Sequence, residues 1–269
     1  MENQTKISQY KIGDYARYMG VTPDLLKHYE QHGLVTPEVS PSGYRYYPFT
    51  QSPALLSSMG LRSYGLPLRE ISAMLREDDL DAYLGRLEAR TQEIRRQMRH
   101  EQALLDEHER LVRWLRRVSP RGEDFQIDDG HEMLFLPHSQ NLSFIDEPEV
   151  YDILGGWTAW LPVVKSCLRI DGEEKQWGLV IRRSFAKEND LPMSSAVRII
   201  PARKRFVFSF SGYQAPEGVS LIDALEQRCR SRMASMNLFP TGDMLMIMLL
   251  QTHEEGRSLS SGLFSVPID

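Results

Sequence analysis

One stretch of the sequence, from Leu80 to Val118, limits the possible folds of the chain more than any other. It contains no proline and a single glycine, Gly85, and strong helix formers dominate it, so it predicts one long helix. Steps of three and four residues give an apolar heptad seam, whose members are Leu84, Leu87, Thr91, Ile94, Met98, Glu101, Leu105, His108, Val112 and Leu115. Because so narrow an apolar side has nothing in its own helix to pack against, we expect a second copy of the chain to cover it. The polar members either fix the register of this pairing or are merely tolerated near a splayed end.

Length, composition and charge set broad limits on the rest of the chain. At 269 residues it is long enough for two domains, or for one domain and a long connecting element. A charged fraction of 26% and a hydrophobic fraction of 41% are typical of a soluble globular protein. The formal net charge of -5 argues against a histone-like protein that coats DNA regardless of sequence. It leaves room for a protein whose few basic groups are concentrated on one DNA-facing surface.

The cysteines and the apolar runs bear on where the protein works. Cys167 and Cys229 lie far apart and in no CxxC pairing, which fits a reducing cytoplasm without disulfides. No basic start followed by an apolar segment is present, so we expect no secretion signal. The longest apolar run, Met244 to Leu250, is too short to cross a bilayer. We therefore predict a cytoplasmic protein with no membrane partner.

The stretch from Val21 to Tyr47 predicts a helix followed by a short hairpin. Thr22 can cap the helix, a proline suits its first position, and Gly33 can end it. Further prolines and glycines then predict a turn, which the strand-like residues Tyr44 to Tyr47 close. A helix with a polar, basic outer side and a following hairpin is typical of a winged helix-turn-helix, in which the helix enters the major groove.

The candidate DNA contacts are basic, polar and aromatic side chains of this region. Lys27, His28 and Tyr29 are expected to face the major groove, and the others are expected to hold the backbone. The full set is Arg17, Thr22, Lys27, His28, Tyr29, Tyr44, Arg45 and Arg62. Two interpretations of Arg17 stay open, namely a phosphate contact and a solvated surface side chain.

Several ordered blocks in the first 75 or so residues resemble the signature of the MerR family of transcriptional regulators. They are Ile12-Gly13-Asp14-Tyr15-Ala16, Gly20-Val21-Thr22, His28-Tyr29-Glu30, Gly33-Leu34-Val35, Pro37, Gly43-Tyr44-Arg45-Tyr46-Tyr47, Leu61-Arg62, Tyr64-Gly65, Leu68 and Glu70-Ile71. The recognition helix of the family usually carries Arg-Tyr-Tyr where this chain has Lys27-His28-Tyr29. A flexible lysine and a smaller histidine cannot reproduce a bidentate arginine or a stacking tyrosine, so the operator of relatives does not carry over.

The resemblance implies a mode of action as well as a fold. It implies a homodimer, joined through an antiparallel helix, that reads a pseudo-palindromic site in double-stranded promoter DNA. It also implies an activator that distorts the promoter when an effector binds, so that RNA polymerase holoenzyme can use it. Metal sensors of the family need cysteines around the dimer helix, and that helix has none, so we expect no metal and no other cofactor.

The sequence changes character after the turn at Ser119 to Gly122. Strands are predicted at 133–136, 178–185, 204–213, 243–251 and 262–268, and a helix at 220–236, while 152–169 is ambiguous between strand and helix. This order, ending on Val266-Pro267-Ile268, resembles the gyrase-inhibitor-like (GyrI-like) effector domain. We therefore expect an α+β chain of three parts: a winged helix-turn-helix DNA-binding domain (8–79), a dimerisation coiled-coil helix (80–118) and a GyrI-like effector-binding domain (122–269).

Aromatic and thioether side chains are the candidate ligand contacts of the last part. They suit a bulky lipophilic molecule, amphipathic or cationic, and packing in a core is the competing explanation for each. The candidates are Tyr151, Trp157, Trp160, Phe206, Phe208, Tyr213 and Met246. Relatives often carry a glutamate where this chain has Leu263. Either Glu147, Glu149 or Asp152 replaces that acid, or aromatic faces alone hold the ligand, or the ligand is not cationic.

The function that these patterns predict is a multidrug-binding type of transcriptional regulator without catalytic residues. No GxSxG elbow, phosphate-binding loop or close histidine–carboxylate group is present in the sequence. Some GyrI-like domains hydrolyse small reactive compounds, so a DNA-binding protein with a hydrolase as its last domain is the alternative.

Overall fold

A computed structural model describes residues 8–77, 79–119, 122–140, 143–215, 218–254 and 257–269. The polypeptide divides into two compact units, one that extends to Met98 and one from Arg99 to Asp269. This division splits the long helix between the units, whereas the three-part division predicted from the sequence, with its boundaries at residues 79 and 118, stays a prediction. Pro120 and Arg121 of the predicted turn lie outside the described residues.

The first unit combines short helices with a small antiparallel sheet. Its elements are β1 (Gln9–Lys11), α1 (Ile12–Met19), α2 (Pro23–Gln31), β2 (Glu38–Val39), β3 (Arg45–Pro48), a single 3-10 turn (Phe49–Gln51), α3 (Ser52–Ser63) and α4 (Leu68–Arg76). The three strands form one sheet in the order β1-β3-β2. Its first strand was not expected, since residues 1–10 have no apolar alternation.

One apolar cluster holds the first unit together. Tyr15, Leu26, Tyr47, Leu55 and Ile71 are among its buried members, so every helix and the central strand contribute to it. The rings of Tyr15 and Tyr47 stack with their centroids 5.2 Å apart, which fixes helix α1 against strand β3. The arrangement leaves the outer side of α2 free of the core.

Helix α5 runs over Leu80–Val118, the 39 residues that the sequence predicted. Its apolar seam is largely uncovered in a single chain: the exposed fractions are 66% for Met98 and 51% for Leu105. Leu87 is partly buried because it packs against the core of the first unit, and Ile94, Val112 and Leu115 are partly buried as well. Two large apolar side chains held in water on one stripe are consistent with the partner helix that the heptad repeat predicts.

The second unit is built on an eight-stranded antiparallel sheet, in the order β10-β5-β9-β8-β12-β13-β11-β4. Its strands are β4 (Glu123–Asp128), β5 (Met133–Pro137), β8 (Lys165–Asp171), β9 (Glu174–Arg182), β10 (Arg198–Ile200), β11 (Arg205–Tyr213), β12 (Met244–Glu254) and β13 (Arg257–Pro267). A separate pair, β6 (Ser139–Gln140) and β7 (Ser143–Phe144), lies between β5 and the next helix. The helices are α6 (Pro148–Thr158), α7 (Arg183–Glu188) and α8 (Leu221–Ser235). The α+β class expected from the sequence is confirmed.

Helices cover both faces of this sheet. On one face, α8 packs on Phe206, Phe208 and Phe210, and α6 packs on strands β5 and β9. On the opposite face lies the last part of α5, where the indole Nε1 of Trp114 donates a hydrogen bond to Ser209 Oγ at 3.2 Å. The ambiguous stretch 152–169 thus resolves into the end of α6 and the start of β8. No helix in the described part of the chain is long and apolar enough to cross a membrane.

Candidate DNA-binding surface and ligand cavity

Helix α2 begins and ends as its sequence requires. Thr22 Oγ1 accepts a hydrogen bond from the backbone N–H of Leu25 at 3.1 Å, which satisfies one of the free amides at the helix start. Gly33 follows the helix with φ of 68°, a left-handed conformation that glycine adopts without strain. The hydroxyl of Thr22 therefore serves as the cap, and its DNA contact stays a prediction.

The outer side of α2 presents Lys27 and His28 to solvent. Lys27 Nζ lies 3.2 Å from Asp24 Oδ1, an exposed ion pair that a phosphate can replace at little cost. The rings of His28 and His32 pack edge to face with centroids 4.7 Å apart, and His32 Nδ1 lies 2.9 Å from the backbone oxygen of His28. These contacts hold the imidazole of His28 on the exposed surface.

Tyr29 does not face the groove as the sequence analysis expected. Only 3% of its surface is exposed, because it follows Leu26 by three positions and both therefore face the core. Burial raises the pKa of its phenol. The expected role was wrong, and Tyr29 is a residue that anchors α2 in the first unit.

The hairpin of β2 and β3, here called the wing, is tied to α2 through one carboxylate. Arg45 Nε donates to Glu30 Oε1 at 3.1 Å, and the Tyr47 hydroxyl donates to Glu30 Oε2 at 2.9 Å. The hydrogen bond to Glu30 raises the pKa of Arg45, so its guanidinium stays charged. Tyr44 is exposed on the wing, and Lys11 Nζ lies 5.8 Å from its ring centroid.

Two further arginines are exposed on α1 and α3. The guanidinium of Arg17 lies 3.3 Å from Asp14 Oδ1 and over the exposed ring of Tyr18, at 5.1 Å from its centroid. Arg62 Nη1 donates to the backbone oxygen of Leu66 at 2.9 Å. The sequence analysis missed Lys11 and Tyr18, whose position beside Arg17 and Tyr44 extends the basic and aromatic surface. A signal was available, since Tyr18 lies next to Arg17 on the outer side of α1.

In the second unit, a cavity of about 620 Å³ separates the last part of α5 from the sheet. We call it the apolar chamber, because most of its wall is aliphatic or aromatic. The apolar lining comprises Ala103, Leu111, Trp114, Met133, Val163, Val180, Ile181, Phe185, Ile247, Leu249 and Leu263. Since Leu263 is among them, the position that often carries an acid in relatives lies on this wall and is uncharged here.

A buried ion-pair group crosses the apolar chamber. Glu107 on α5 is only 4% exposed, and its carboxylate accepts hydrogen bonds from Lys165 on β8 and from Arg110 on its own helix. Burial lowers the pKa of Lys165, and the bond to Glu107 opposes that shift. The carboxylate thus meets two cations, one fixed by the sheet and one by the helix.

A second cavity, of about 530 Å³, continues the first and shares with it Arg110, Trp114, Met133, Arg182, Ile247 and Leu263. We call it the arginine chamber. Among the described residues that line it, five are arginines (Arg110, Arg113, Arg117, Arg182 and Arg205) and one, Asp128, is acidic. Arg205 is buried and donates to Ser265 Oγ at 2.7 Å and to the Ser265 backbone oxygen at 2.9 Å.

Four of the expected ligand contacts are core residues instead. Trp157, Phe206, Phe208 and Met246 are buried on the face of the sheet away from the two chambers. Trp157 Nε1 donates to the backbone oxygen of Pro192 at 2.8 Å. The Gly155-Gly156 pair does not interrupt α6, so the helix stays regular and carries Trp157 into the core. Their assignment as ligand contacts was wrong.

The other expected contacts are scattered over the second unit, and the described lining of the chambers includes none of them. Trp160 comes nearest, since its ring packs on Phe185 of the lining with centroids 5.1 Å apart. Tyr151 is exposed, and Tyr213 lies under Arg228, 5.5 Å from its guanidinium carbon. Of the acids, Glu147 is exposed just before α6, and the carboxylate of Glu149 accepts a hydrogen bond from Ser195.

The sequence did carry one signal for the chambers. Ala103, Glu107, Leu111 and Trp114 recur at helical spacing on α5, beside the seam rather than on it. A second apolar stripe on a helix with one seam indicates a second partner, which here is the sheet.

The two thiols of the second unit are buried. Burial raises the pKa of the Cys229 thiol to about 12, and it raises the pKa of Cys167 as well. Cys167 packs with Phe135, Val180 and Leu245 on the cavity face of the sheet, and Cys229, a residue of α8, packs against the opposite face. The described residues include no group of three or more His, Cys, Asp or Glu side chains placed to hold a metal ion.

The first unit is similar to known DNA-binding regulators. The family model of the MerR HTH family regulatory protein matches residues 10–78. The multidrug-efflux transporter 2 regulator of Bacillus subtilis is 29% identical over 86 residues, which are 32% of this chain and 32% of that protein. The HTH-type transcriptional activator TipA of Streptomyces coelicolor is 36% identical over 73 residues, which are 27% of this chain and 29% of that protein. The match therefore spans about a third of the length of these curated relatives, which are transcriptional regulators.

Among solved structures, the cryo-EM structure of the EcmrR–DNA complex in EcmrR-RPo resembles the chain over 97% of its length and 99% of that chain. The sequence identity is 16% and the TM-score is 0.41, a likeness too weak to carry an argument about function.

Proposed function

We propose, from the premise that residues 10–78 form a MerR-type helix-turn-helix domain, that the chain is a transcriptional regulator. In this proposal it binds promoter DNA as a homodimer and responds to a small amphipathic effector. The match of the family model to the first unit is the observation that carries the proposal. The exposed Lys27 and His28 on α2, with Arg45 and Tyr44 on the wing, support it because they are placed as a groove-reading helix and a phosphate-binding hairpin require.

The proposed dimer rests on helix α5. Its seam leaves Met98 and Leu105 exposed in a single chain, and burying such side chains is the main source of coiled-coil stability. A dimer with two recognition helices reads two half-sites, which is why we expect a pseudo-palindromic operator.

The proposed effector site is the pair of chambers in the second unit. Together they offer an apolar wall with a few charged groups, which is the usual make-up of a site for a small molecule. Helix α5 contributes both to this wall and to the exposed seam. An effector that binds one arrangement of α5 better than another therefore shifts the dimer between states, whereas one with equal affinity for both shifts nothing.

The proposed outcome is a distorted promoter that RNA polymerase holoenzyme can open. Bending or untwisting a site of this length costs on the order of a few kcal/mol, which the difference in effector affinity between two states can supply. One of the relatives named above, TipA, is a transcriptional activator, which supports an activator here.

DNA binding is tested by selecting duplexes from a random library with the full chain at low salt. Fluorescence anisotropy on the selected duplex then measures affinity as a function of salt concentration. Lys27→Gln should weaken binding several-fold and reduce the salt slope by about 1, since one phosphate or base contact is lost. Lys187→Gln, at an exposed lysine of α7, is the matched control and should leave both unchanged. Failure to enrich any duplex would refute the proposal.

Dimerisation is tested at two exposed apolar positions of the seam. Met98→Asp with Leu105→Asp should give monomers by light scattering, because two charges replace apolar contacts between helices. Ala89→Asp with Gln92→Asp places the same charges at exposed positions off the seam and should leave the dimer intact. A dimer that survives the first pair would show that another surface joins the copies.

A further inference from the structure

We infer that the effector is an amphipathic anion, whose apolar body occupies the apolar chamber and whose anionic head lies in the arginine chamber. The inference rests on the proposed function only in taking these chambers as the effector site. It chooses among the alternatives that the sequence analysis left open for the charge of the ligand.

The first step concerns the acid that a cation would need. The buried acid of the apolar chamber is Glu107, and it already accepts hydrogen bonds from Lys165 and Arg110. A cationic ligand would have to compete with the more exposed Arg110, or displace Lys165 and leave its charge without compensation in a mostly buried place. The other acids of this wall, Asp106 and Glu188, are exposed, and Asp106 accepts a hydrogen bond from Gln102 at 2.7 Å. A cationic head group would therefore meet a buried carboxylate that is already paired and carboxylates that are exposed to water.

The second step concerns Leu263, the position at which the resemblance to GyrI-like domains would imply an acid. Leu263 lines both chambers and pairs with Ser209 and Ile247 on its neighbouring strands. An aliphatic side chain there adds apolar wall and gives no charge. A neutral or anionic body fits beside it without desolvating a carboxylate.

The third step concerns the arginine chamber. Arg113 and Arg117 have acidic partners, Glu109 at 3.2 Å and Asp124 at 3.0 Å. Arg182, which borders both chambers, makes no ion pair within the described part of the chain. Arg110 pairs with Glu107, so Arg182 and the buried Arg205 are the guanidinium groups of this cavity that have no ion pair in the described part of the chain, and Asp128 is the acid of its described lining. Two guanidinium groups without an ion pair beside one carboxylate favour an anion in the cavity. Guanidinium groups also match the geometry of carboxylate, sulfonate and phosphate oxygens.

The fourth step joins the two chambers. Because they share Trp114, Met133 and Arg182, among others, a single molecule can reach from one into the other. Trp114 gives a flat aromatic wall at the junction, and Arg182 lies where the head group would enter the arginine chamber. A drug-sized ligand with an aromatic body and one acidic group matches this arrangement.

The experiment uses three naphthalene probes that share one body and differ in head group: 2-naphthylacetate, 2-naphthylmethylammonium and neutral 2-naphthalenemethanol. Isothermal titration calorimetry on the full chain, without DNA, should rank the anion first by about tenfold or more. Arg182→Gln should lower the affinity for the anionic probe by about tenfold and leave the affinity for the neutral probe unchanged, because only a charge-assisted contact is removed. Arg183→Gln is the matched control, since this neighbouring arginine pairs with Glu132 at 2.9 Å and does not line the chambers.

The outcomes separate this inference from the proposed function. Equal or tighter binding of the ammonium probe, or no binding of the anion to a folded protein, overturns the inference while DNA binding stands. An anion effect that Arg182→Gln does not change also overturns it, because the head group would then lie elsewhere. If the anion binds through Arg182 but no duplex is selected, the inference holds and the proposed function fails.

Discussion

The two units build their surfaces in different ways. The exposed side of α2 and the wing come from one continuous stretch of chain, held by a cap at Thr22, a glycine at 33 and a carboxylate at Glu30. The two chambers instead combine side chains of α5 with those of strands that are far apart in sequence. The first kind of surface depends on local hydrogen bonds, so its side chains can change without loss of the fold. The second depends on the whole sheet, so its shape and the stability of the unit are coupled.

The largest effect is expected in the core of the second unit. Trp157→Ala should lower the free energy of unfolding by about 3–5 kcal/mol, because it leaves a cavity and an unpaired Pro192 oxygen. Trp160→Ala, at a half-buried position in the same segment, should cost clearly less. Urea denaturation followed by circular dichroism measures both. A loss below about 1 kcal/mol for Trp157→Ala would contradict its place in the core.

The next effect tests the charged group of the apolar chamber. Glu107→Gln should destabilise the chain by about 2–3 kcal/mol at neutral pH, because it leaves Lys165 largely buried beside a neutral amide. Arg110→Gln removes the more exposed of the two cations and should cost less, because Lys165 keeps its carboxylate. Chemical denaturation measures the two variants, and equal losses would contradict the unequal burial of the two cations.

The Glu107→Gln variant also carries a pH dependence with a definite sign. Burial already lowers the pKa of Lys165, and without the carboxylate that pKa falls further. The unfolded chain then binds more protons than the folded one between the lowered pKa and the ordinary value of 10.5, so the stability of the variant rises with pH through this window. The difference in the free energy of unfolding between the native chain and the variant should therefore become smaller as the pH approaches 10.5. A deficit that is constant with pH would mean that Lys165 does not titrate there.

A smaller effect is expected from the cap of α2. Thr22→Ala removes the acceptor for the Leu25 amide and should cost about 1 kcal/mol, whereas Thr22→Ser keeps the hydroxyl and should stay close to the native chain. Thermal unfolding of the two variants measures the difference. Equal melting temperatures would show that the start of α2 is held by packing alone.

The smallest effect on stability is expected at His28. His28→Ala should change the free energy of unfolding by less than about 0.5 kcal/mol, because the imidazole is exposed and its ring contact with His32 is weak. On the selected duplex the same variant should bind less tightly by anisotropy. A large loss of stability would mean that this side of α2 is part of the packing, and the contrast between the two units would weaken.

The sequence predicted those features that short segments determine. The bounds of α5 follow from its composition and its lack of proline, and the start of α2 follows from Thr22 and the proline after it. In the strand predicted at 204–213, the alternation of Phe206, Phe208 and Phe210 with smaller residues predicts one shared face, and all three are buried on one face of the sheet. Each of these depends on residues within a few positions of one another.

The parts that could not be predicted depend on which face meets which partner. Trp157 was expected at a cavity and lies in a stretch that the sequence left ambiguous between strand and helix, yet a regular helix turned it to the core. Tyr29 was assigned to DNA by analogy with the family motif, although its spacing from Leu26 placed both on the buried side. The chambers exist only because α5 lies over the strands, which no local pattern specifies.

The two buried thiols can report local opening on the two faces of the sheet in the second unit. Cys167 is covered on the cavity face and Cys229 between α8 and the opposite face, and the raised pKa of each keeps it protonated and inert while its surroundings stay closed. A thiol reagent therefore reacts only when the structure around the thiol opens locally. The modification rate of each cysteine thus measures the local opening of its own face of the sheet. A ligand in the chambers should therefore slow the modification of Cys167 more than that of Cys229. The measurement needs no label added to the chain.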